Sequence, residues 1–101
     1  ENDLVLNKYK KEDIFMLHDA VADFFELVNN AYITNNVDIT MEAVKKSTDI
    51  TNMYRKARKS HLDRMAREKP KPMLSTGHMD ILNYYRRLSD HMLMVVEIMN
   101  I

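Results

Sequence analysis

The chain of 101 residues has no cysteine and no tryptophan, and it contains only one glycine and two prolines. Without cysteine it can form neither a disulfide framework nor a thiolate metal site, which suits a reducing compartment such as the cytosol. The scarcity of glycine and proline leaves few points at which a helix would break, and helix-forming residues run throughout. The composition therefore predicts an almost entirely helical chain, and its length limits it to one hydrophobic core.

The sequence also has no excess of positive or negative charge and no long apolar run. Fifteen basic residues balance fifteen acidic ones, and no aromatic residues are interleaved with the basic ones, so we do not expect nucleic acid binding. The longest run without a polar residue in the last helical segment, residues 92–96, is far shorter than the roughly 20 residues of a membrane span. We expect a soluble chain. Because it begins at Glu1, we expect it to be a fragment of a longer protein.

Three segments have the apolar spacing of helices that bury one face. The first starts at Asp13, after a polar leader of residues 1–12 that either docks through Leu4 to Leu6 or frays. The second starts after Thr40, a capping residue type, and stops at the Lys-Pro-Lys-Pro run of residues 69–72. A third follows that run, which gives three rods with short connections.

The third helix is expected to be capped by Ser75 or Thr76. Helical spacing predicts the buried residues of each helix. They are Ile14, Leu17, Val21, Phe24, Phe25, Val28 and Tyr32 in the first helix, Ala43, Ser47, Ile50, Tyr54, Ala57, His61 and Met65 in the second, and Ile81, Tyr85, Leu88, Met92, Val95 and Met99 in the third. The predicted fold class is all-α, an up-down-up three-helix bundle, with a leader at 1–12 and one helical domain at 13–101.

The end of the second helix and the following linker are strongly basic. Between residues 55 and 71 eight basic residues stand against two acidic ones, whereas residues 1–30 hold seven acidic and three basic ones. The basic residues are Arg55, Lys56, Arg58, Lys59, Arg64, Arg67, Lys69 and Lys71. A basic helix end that complements the helix dipole and the acidic first helix would explain this distribution. The functional alternative is a face for an anionic partner, either a lipid surface or an acidic protein.

A second group of side chains has the chemistry to hold a divalent cation such as iron, zinc or magnesium. The candidates are Asp49, His61, Asp90, His91 and Glu97. Ordinary explanations compete with this one, because Arg86 and Asp90 have the spacing of a helix-surface ion pair, and a histidine within an apolar stripe is commonly a hydrogen-bonded core residue. We find no metalloprotease motif, nucleophile arrangement or glycine-rich phosphate loop, so no enzymatic activity is expected.

Two motifs in the last 45 or so residues resemble those of PhoU-type domains, and particularly the cytosolic PhoU-like tail of bacterial sodium/phosphate cotransporter family proteins. The first is Arg-x-x-His-Leu-x-Arg-Met at residues 58–65. The second runs from Asp80 to Glu97 and reads Asp-Ile-Leu, then Arg-Leu-x-Asp-His, then Val-x-Glu. The resemblance implies a three-helix regulatory or assembly domain linked to phosphate uptake, lying at the cytoplasmic side of the inner membrane.

The sequence departs from this family at the metal motif. Arg86 stands where the family has the Glu that opens its Glu-x-x-x-Asp motif, Met94 stands where it has Asn, and an acidic position near Thr51 is missing. These departures predict that the metal clusters of PhoU relatives do not form here and that no resident cofactor is needed.

The leading hypothesis is a regulatory domain that packs against the membrane portion of a sodium-dependent phosphate transporter, in the same or a partner protein, or against a second copy. Its basic face would point to anionic lipid or an acidic partner. The alternatives are a divalent-metal-binding module of PhoU type and a ligand-free oligomerisation bundle.

Overall fold

The computed structural model describes the backbone of residues 2–68 and 71–101 and the side chains of residues 11–68 and 71–101. Its helices are α1 (Asn2–Ile33), α2 (Thr40–Glu68) and α3 (Pro72–Met99), and each packs against the other two. The described residues contain no strand. The all-α, up-down-up three-helix bundle expected from the sequence is confirmed.

Each helix buries residues that recur in alternating steps of four and three. They are Leu17, Val21, Phe24, Val28 and Ala31 on α1, Ala43, Ser47, Ile50, Ala57, His61 and Arg64 on α2, and Ser75, His78, Leu82, Ser89, Met92 and Val96 on α3. Half-buried Tyr54 and Tyr85 occupy intermediate steps on α2 and α3. This spacing keeps one stripe of each rod facing its two neighbours along the whole bundle.

The predicted cores of α1 and α2 are mostly confirmed, with two errors on α1. Phe25 and Tyr32 are 61% and 71% exposed. Each of these positions lies one residue after a buried residue, Phe24 or Ala31, and so points about 100° away from it on the helix. The apolar surface of α1 is therefore wider than the stripe that it buries.

The predicted buried stripe of α3 is wrong in its rotation about the helix axis. Ile81 and Val95 are exposed and Leu88 is half-buried. The residues that follow each of them, Leu82, Ser89 and Val96, are fully buried. α3 packs against α1 and α2 at once, so the residues that enter the core are those that point into the space between these two helices. Ser89 is one of them, and its small side chain allows the helices to approach closely.

The start of α1 also differs from the prediction. The helix begins at Asn2 rather than at Asp13, so the backbone of the leader continues the first helix. The expected docking of Leu4 to Leu6 falls on side chains outside the described ones.

The start of α3 differs because a proline begins the helix. Pro72 is the first helical residue, Lys71 is the N-cap, and no side chain caps the end. Proline suits this position because the amide hydrogen that it lacks would have no partner inside the helix. Ser75, expected as a cap, lies one turn inside α3 and is buried.

Two asparagines shape the connection between α1 and α2. Asn35 has a φ of 54°, in the left-handed region that asparagine tolerates, and the amide of Asn36 donates to the carbonyl of Ala31. The Asn36 side chain accepts a hydrogen bond from the amide of Asp38 at 3.1 Å. Ile39 is then buried, which anchors the turn and lets α2 start at the next residue.

Candidate functional site

Buried polar side chains gather at the end of the bundle where α2 ends and α3 begins. Here His61, Arg64, Ser75 and His78 are each at most 7% exposed, and we call them the polar end of the core. The rings of His61 and His78 are 4.4 Å apart between centroids and tilted by 36°. Polar groups removed from water destabilise a fold unless they are hydrogen-bonded, so their partners decide how this end is held.

Hydrogen bonds of Ser75 link α2 and α3 at this end. The Ser75 hydroxyl donates to Met65 Sδ at 2.8 Å, and His61 Nε2 lies 3.1 Å from the same oxygen. The Ser75 hydroxyl therefore joins Met65 and His61 of α2 to α3. The expectation that His61 is a hydrogen-bonded core histidine is confirmed.

The guanidinium of Arg64 links α2 to α1. One of its nitrogens donates to Ser60 Oγ at 3.0 Å, and another lies 3.5 Å from Asp13 Oδ2. Arg64 is only 7% exposed, so its predicted place on the exposed basic face is wrong. A buried cation is tolerated only with such partners, which makes Arg64 a structural tie between the helices.

The remaining predicted basic residues lie on the solvent side of the C-terminal half of α2 and at the start of α3. Those that the structure describes, Arg55, Lys56, Arg58, Lys59, Arg67 and Lys71, are all exposed, and we call them the basic face. Lys69 lies outside the described residues. Arg67 Nε donates to the carbonyl oxygen of Asp63 at 3.4 Å, so part of this charge sits over the end of the helix, where the dipole favours it.

At the other end of the bundle, Lys46 of α2 forms an ion pair with Asp23 of α1. The hydrogen bond to the Asp23 carboxylate raises the pKa of Lys46 above its ordinary value of 10.5, and the charges of Asp23, Glu42 and Asp49 act in the same direction. Since the folded pKa is raised, the pair stabilises the fold below pH 10.5 and this contribution disappears as the pH rises through the raised value.

Two of the three carboxylates proposed as metal ligands, Asp49 and Asp90, form ion pairs along their own helices. Lys45 Nζ lies 3.1 Å from Asp49 Oδ2, and Arg86 donates to Asp90 Oδ2 at 3.0 Å, as the spacing of Arg86 and Asp90 predicted. The Arg86 guanidinium also lies 5.5 Å from the centre of the Tyr54 ring. A cation therefore already stands beside Asp90 on the side that faces α2.

The predicted ligands do not come together. His61 is buried within the polar end of the core, whereas His91 and Glu97 are exposed on α3. Across the described ranges 11–68 and 71–101, we find no group of three or more histidine, aspartate or glutamate side chains placed to hold a metal ion. The ion-pair explanation matches Asp90 and the core-histidine explanation matches His61, whereas a core position is wrong for His91.

We expect Asp90→Asn to lower the free energy of unfolding by less than about 1 kcal/mol, because it removes one ion pair at the helix surface. The side chains of Arg86 and Asp90 are 36% and 53% exposed, so water screens the pair. Urea unfolding of the two proteins measures the difference. A loss of several kcal/mol would instead indicate a role for Asp90 in a buried network or a metal site.

Sequence reasoning did not identify His78 as buried, and it expected Ser75 as a cap rather than inside the core. Both follow from the true seam of α3, since steps of four and three backwards from Leu82 reach 78 and 75. Helical spacing accounts for both residues once the buried stripe of α3 is known, but apolar spacing alone does not indicate them because both are polar.

None of the described helices combines the length and the apolar character that a membrane span needs. Searches among curated proteins and among solved structures find no match to the chain. The model of the PhoU domain matches residues 15–99, which span all three helices. PhoU domains are helical bundles associated with the regulation of phosphate transport, and they are not known as enzymes. The chain belongs to the PhoU domain family.

Proposed function

We propose that this chain is the regulatory or assembly domain of a sodium-dependent phosphate transporter, working at the cytoplasmic side of the inner membrane. Membership of the PhoU family supports a role in phosphate transport regulation. The likeness of residues 58–65 and 80–97 to the tails of sodium/phosphate cotransporters supports the transporter context. The observation that carries the mechanism is the basic face near the end of α2.

The basic face is suited to orient the domain on an anionic surface. Most of its side chains project from a helix whose end is tied to α1 by Arg64 and to α3 by His61, so the backbone that carries the charges is held in place. Each basic residue near an anionic leaflet contributes about 1 kcal/mol of attraction. With several such residues at one end of the rod, the domain would bind with that end towards lipid or towards an acidic part of the transporter.

This proposal includes no resident metal. The positive charge of Arg86 supports the absence of a metal. Arg86 stands where PhoU relatives have a metal ligand, and it pairs with Asp90. Calorimetric titration of the purified chain with iron, zinc and magnesium tests it. Tight binding of any of these ions would favour the alternative of a divalent-metal-binding module.

Binding to vesicles tests the electrostatic mechanism. We expect the chain to bind vesicles that contain phosphatidylserine and not to bind neutral phosphatidylcholine vesicles. High salt is expected to release the chain, because salt screens the attraction between charges. Arg58→Gln with Lys59→Gln removes two charges of the basic face and is expected to weaken binding about thirtyfold, from about 1 kcal/mol for each residue.

A matched control removes the same charge elsewhere on α2. Lys45→Gln with Lys46→Gln changes two adjacent lysines at the opposite end of the helix, and we expect binding close to that of the unchanged chain. If both variants lost the same amount of vesicle binding, the attraction would depend on the overall charge of the chain and not on the basic face. Absence of salt-dependent binding both to vesicles and to the cytosolic side of the transporter would contradict the mechanism.

A further inference from the structure

Two apolar side chains stand exposed on the first turn of α3, at the end of the bundle where α2 ends and α3 begins. We call this the α2–α3 end. Met73 is 86% exposed and Leu74 is 49% exposed. A single exposed apolar side chain is ordinary on a protein surface. These two are adjacent in the sequence and border a groove that continues their apolar surface.

The groove runs between α3 and α1 and has a volume of about 280 Å³. Its lining includes Met73, Leu74, Gly77 and Ile81 of α3 and Ile14 of α1. Gly77 leaves it open, since a Cβ built there would meet no atom within 4 Å. Steps of four residues join Met73, Gly77 and Ile81 along one face of the helix. The first turns of α3 therefore present an apolar strip that α1 covers only in part.

Basic residues border this strip. Lys11 of α1 lines the groove itself, Lys71 is the N-cap of α3, and Arg67 lies in the last turn of α2. All three are exposed, and so are their acidic sequence neighbours Glu12 and Glu68. The other members of the basic face, farther back along α2, keep the balance of charge positive. Apolar side chains with basic residues around them are typical of surfaces that enter the interface of an anionic lipid leaflet.

The opposite end of the bundle is also apolar, but its exposed charge is different. Tyr32, Ile33 and Met41 are 71%, 70% and 88% exposed there. The charged residues nearest to them in the sequence are Asp38 and Glu42, and both are exposed. Two lysines in the second turn of α2 are each held in an ion pair with an aspartate. An anionic leaflet would therefore attract the α2–α3 end and not the opposite one.

We propose that Met73 and Leu74 insert into the interface of an anionic lipid leaflet while the basic residues around them bind the lipid headgroups. This inference rests on the proposed function and deepens it, because it assigns the basic face to lipid and not to an acidic protein. An acidic protein surface would supply opposite charges only. A leaflet supplies anionic headgroups and, a few ångströms deeper, the apolar chains that the strip requires.

A tryptophan at residue 73 tests the insertion, because the chain has no tryptophan of its own. In Met73→Trp we expect vesicles that contain phosphatidylserine to move the fluorescence emission to shorter wavelength. We also expect lipids brominated on their acyl chains to quench it. Met41→Trp is the matched control, since Met41 is equally exposed at the opposite end. Its emission is expected to stay unchanged with the same vesicles.

Removal of the apolar groups separates insertion from the attraction between charges. Met73→Ser with Leu74→Ser keeps every charge and is expected to weaken binding to phosphatidylserine vesicles about tenfold, because less apolar surface leaves water. Ile33→Ser with Met41→Ser makes a similar change at the opposite end and is expected to leave vesicle binding unchanged. Urea unfolding of both variants checks that the fold is kept.

The outcomes distinguish this inference from the proposed function. Salt-dependent vesicle binding with no change in the emission of Met73→Trp would overturn the inference and leave the proposed function standing. Equal changes in emission at residues 73 and 41 would also overturn it, because docking would then not be confined to the α2–α3 end. Binding to the cytosolic side of the transporter without binding to vesicles would overturn it as well, and would assign the basic face to an acidic protein.

Discussion

Replacing Leu82 with alanine is expected to lower the free energy of unfolding by about 2 to 5 kcal/mol. Leu82 is fully buried in the seam of α3, so the change removes apolar contacts and leaves a cavity between three helices. Urea unfolding measured at concentrations where the chain is monomeric gives the difference directly.

The neighbouring residue provides the control for Leu82. Ile81→Ala removes a similar volume, but Ile81 is 42% exposed, so we expect a loss of about 1 kcal/mol. Leu88, which the sequence placed in the core, is half-buried and should give an intermediate value. A larger loss at Ile81 than at Leu82 would contradict the rotation of α3 described above.

The second large effect is expected at His61. His61→Ala removes a fully buried ring, its contact with His78 and its hydrogen bond to Ser75. By analogy with other large-to-small changes in a core, and with one hydrogen bond lost, we expect a loss of about 3 kcal/mol. Thermal and urea unfolding measure it.

His91, the histidine of the second motif, serves as the control for His61. His91 is exposed on α3, and His91→Ala is expected to change stability by no more than about 0.5 kcal/mol. Similar losses at the two positions would contradict the assignment of His61 to the core and His91 to the surface. Both residues were candidate metal ligands, so the two variants also test whether one lies in the core and the other at the surface, too far apart in environment to share one metal site.

The sequence was sufficient to predict three helices and most of the core of α1 and α2. Their apolar residues recur at one spacing, and the end of α2 before Pro70 follows from the chemistry of proline. The rotation of α3 could not be predicted from apolar spacing, because the correct stripe and the stripe one residue away share Tyr85, Met92 and Met99. The correct stripe contains Ser89, and a pattern of apolar residues does not favour a polar member.

The candidate site could be predicted only in part. The basic residues between 55 and 71 could be counted in the sequence, and those that the structure describes are exposed except Arg64. Arg64 lies three residues after His61, a spacing that already places it on the buried stripe of α2. Its burial becomes favourable only through Asp13 and Ser60, and a contact between residues 51 positions apart cannot be read from local spacing.

The pairing of Arg86 could be predicted from local spacing. Arg86 lies four residues before Asp90 on one helix, which predicted an ion pair, and the structure contains that pair. What the residue pattern could not show was the second contact of Arg86, over the ring of Tyr54 on another helix.

Phosphate uptake in the native host tests the central claim most directly. Uptake of labelled phosphate is measured over a range of external phosphate concentrations in cells that lack the chain, in cells that carry it, and in cells that carry Arg58→Gln with Lys59→Gln at the same protein level. The account predicts that deletion alters how uptake responds to phosphate, that the unchanged chain restores the response, and that the basic-face variant restores it poorly. Identical uptake in all three strains would contradict a role of this domain in phosphate transport.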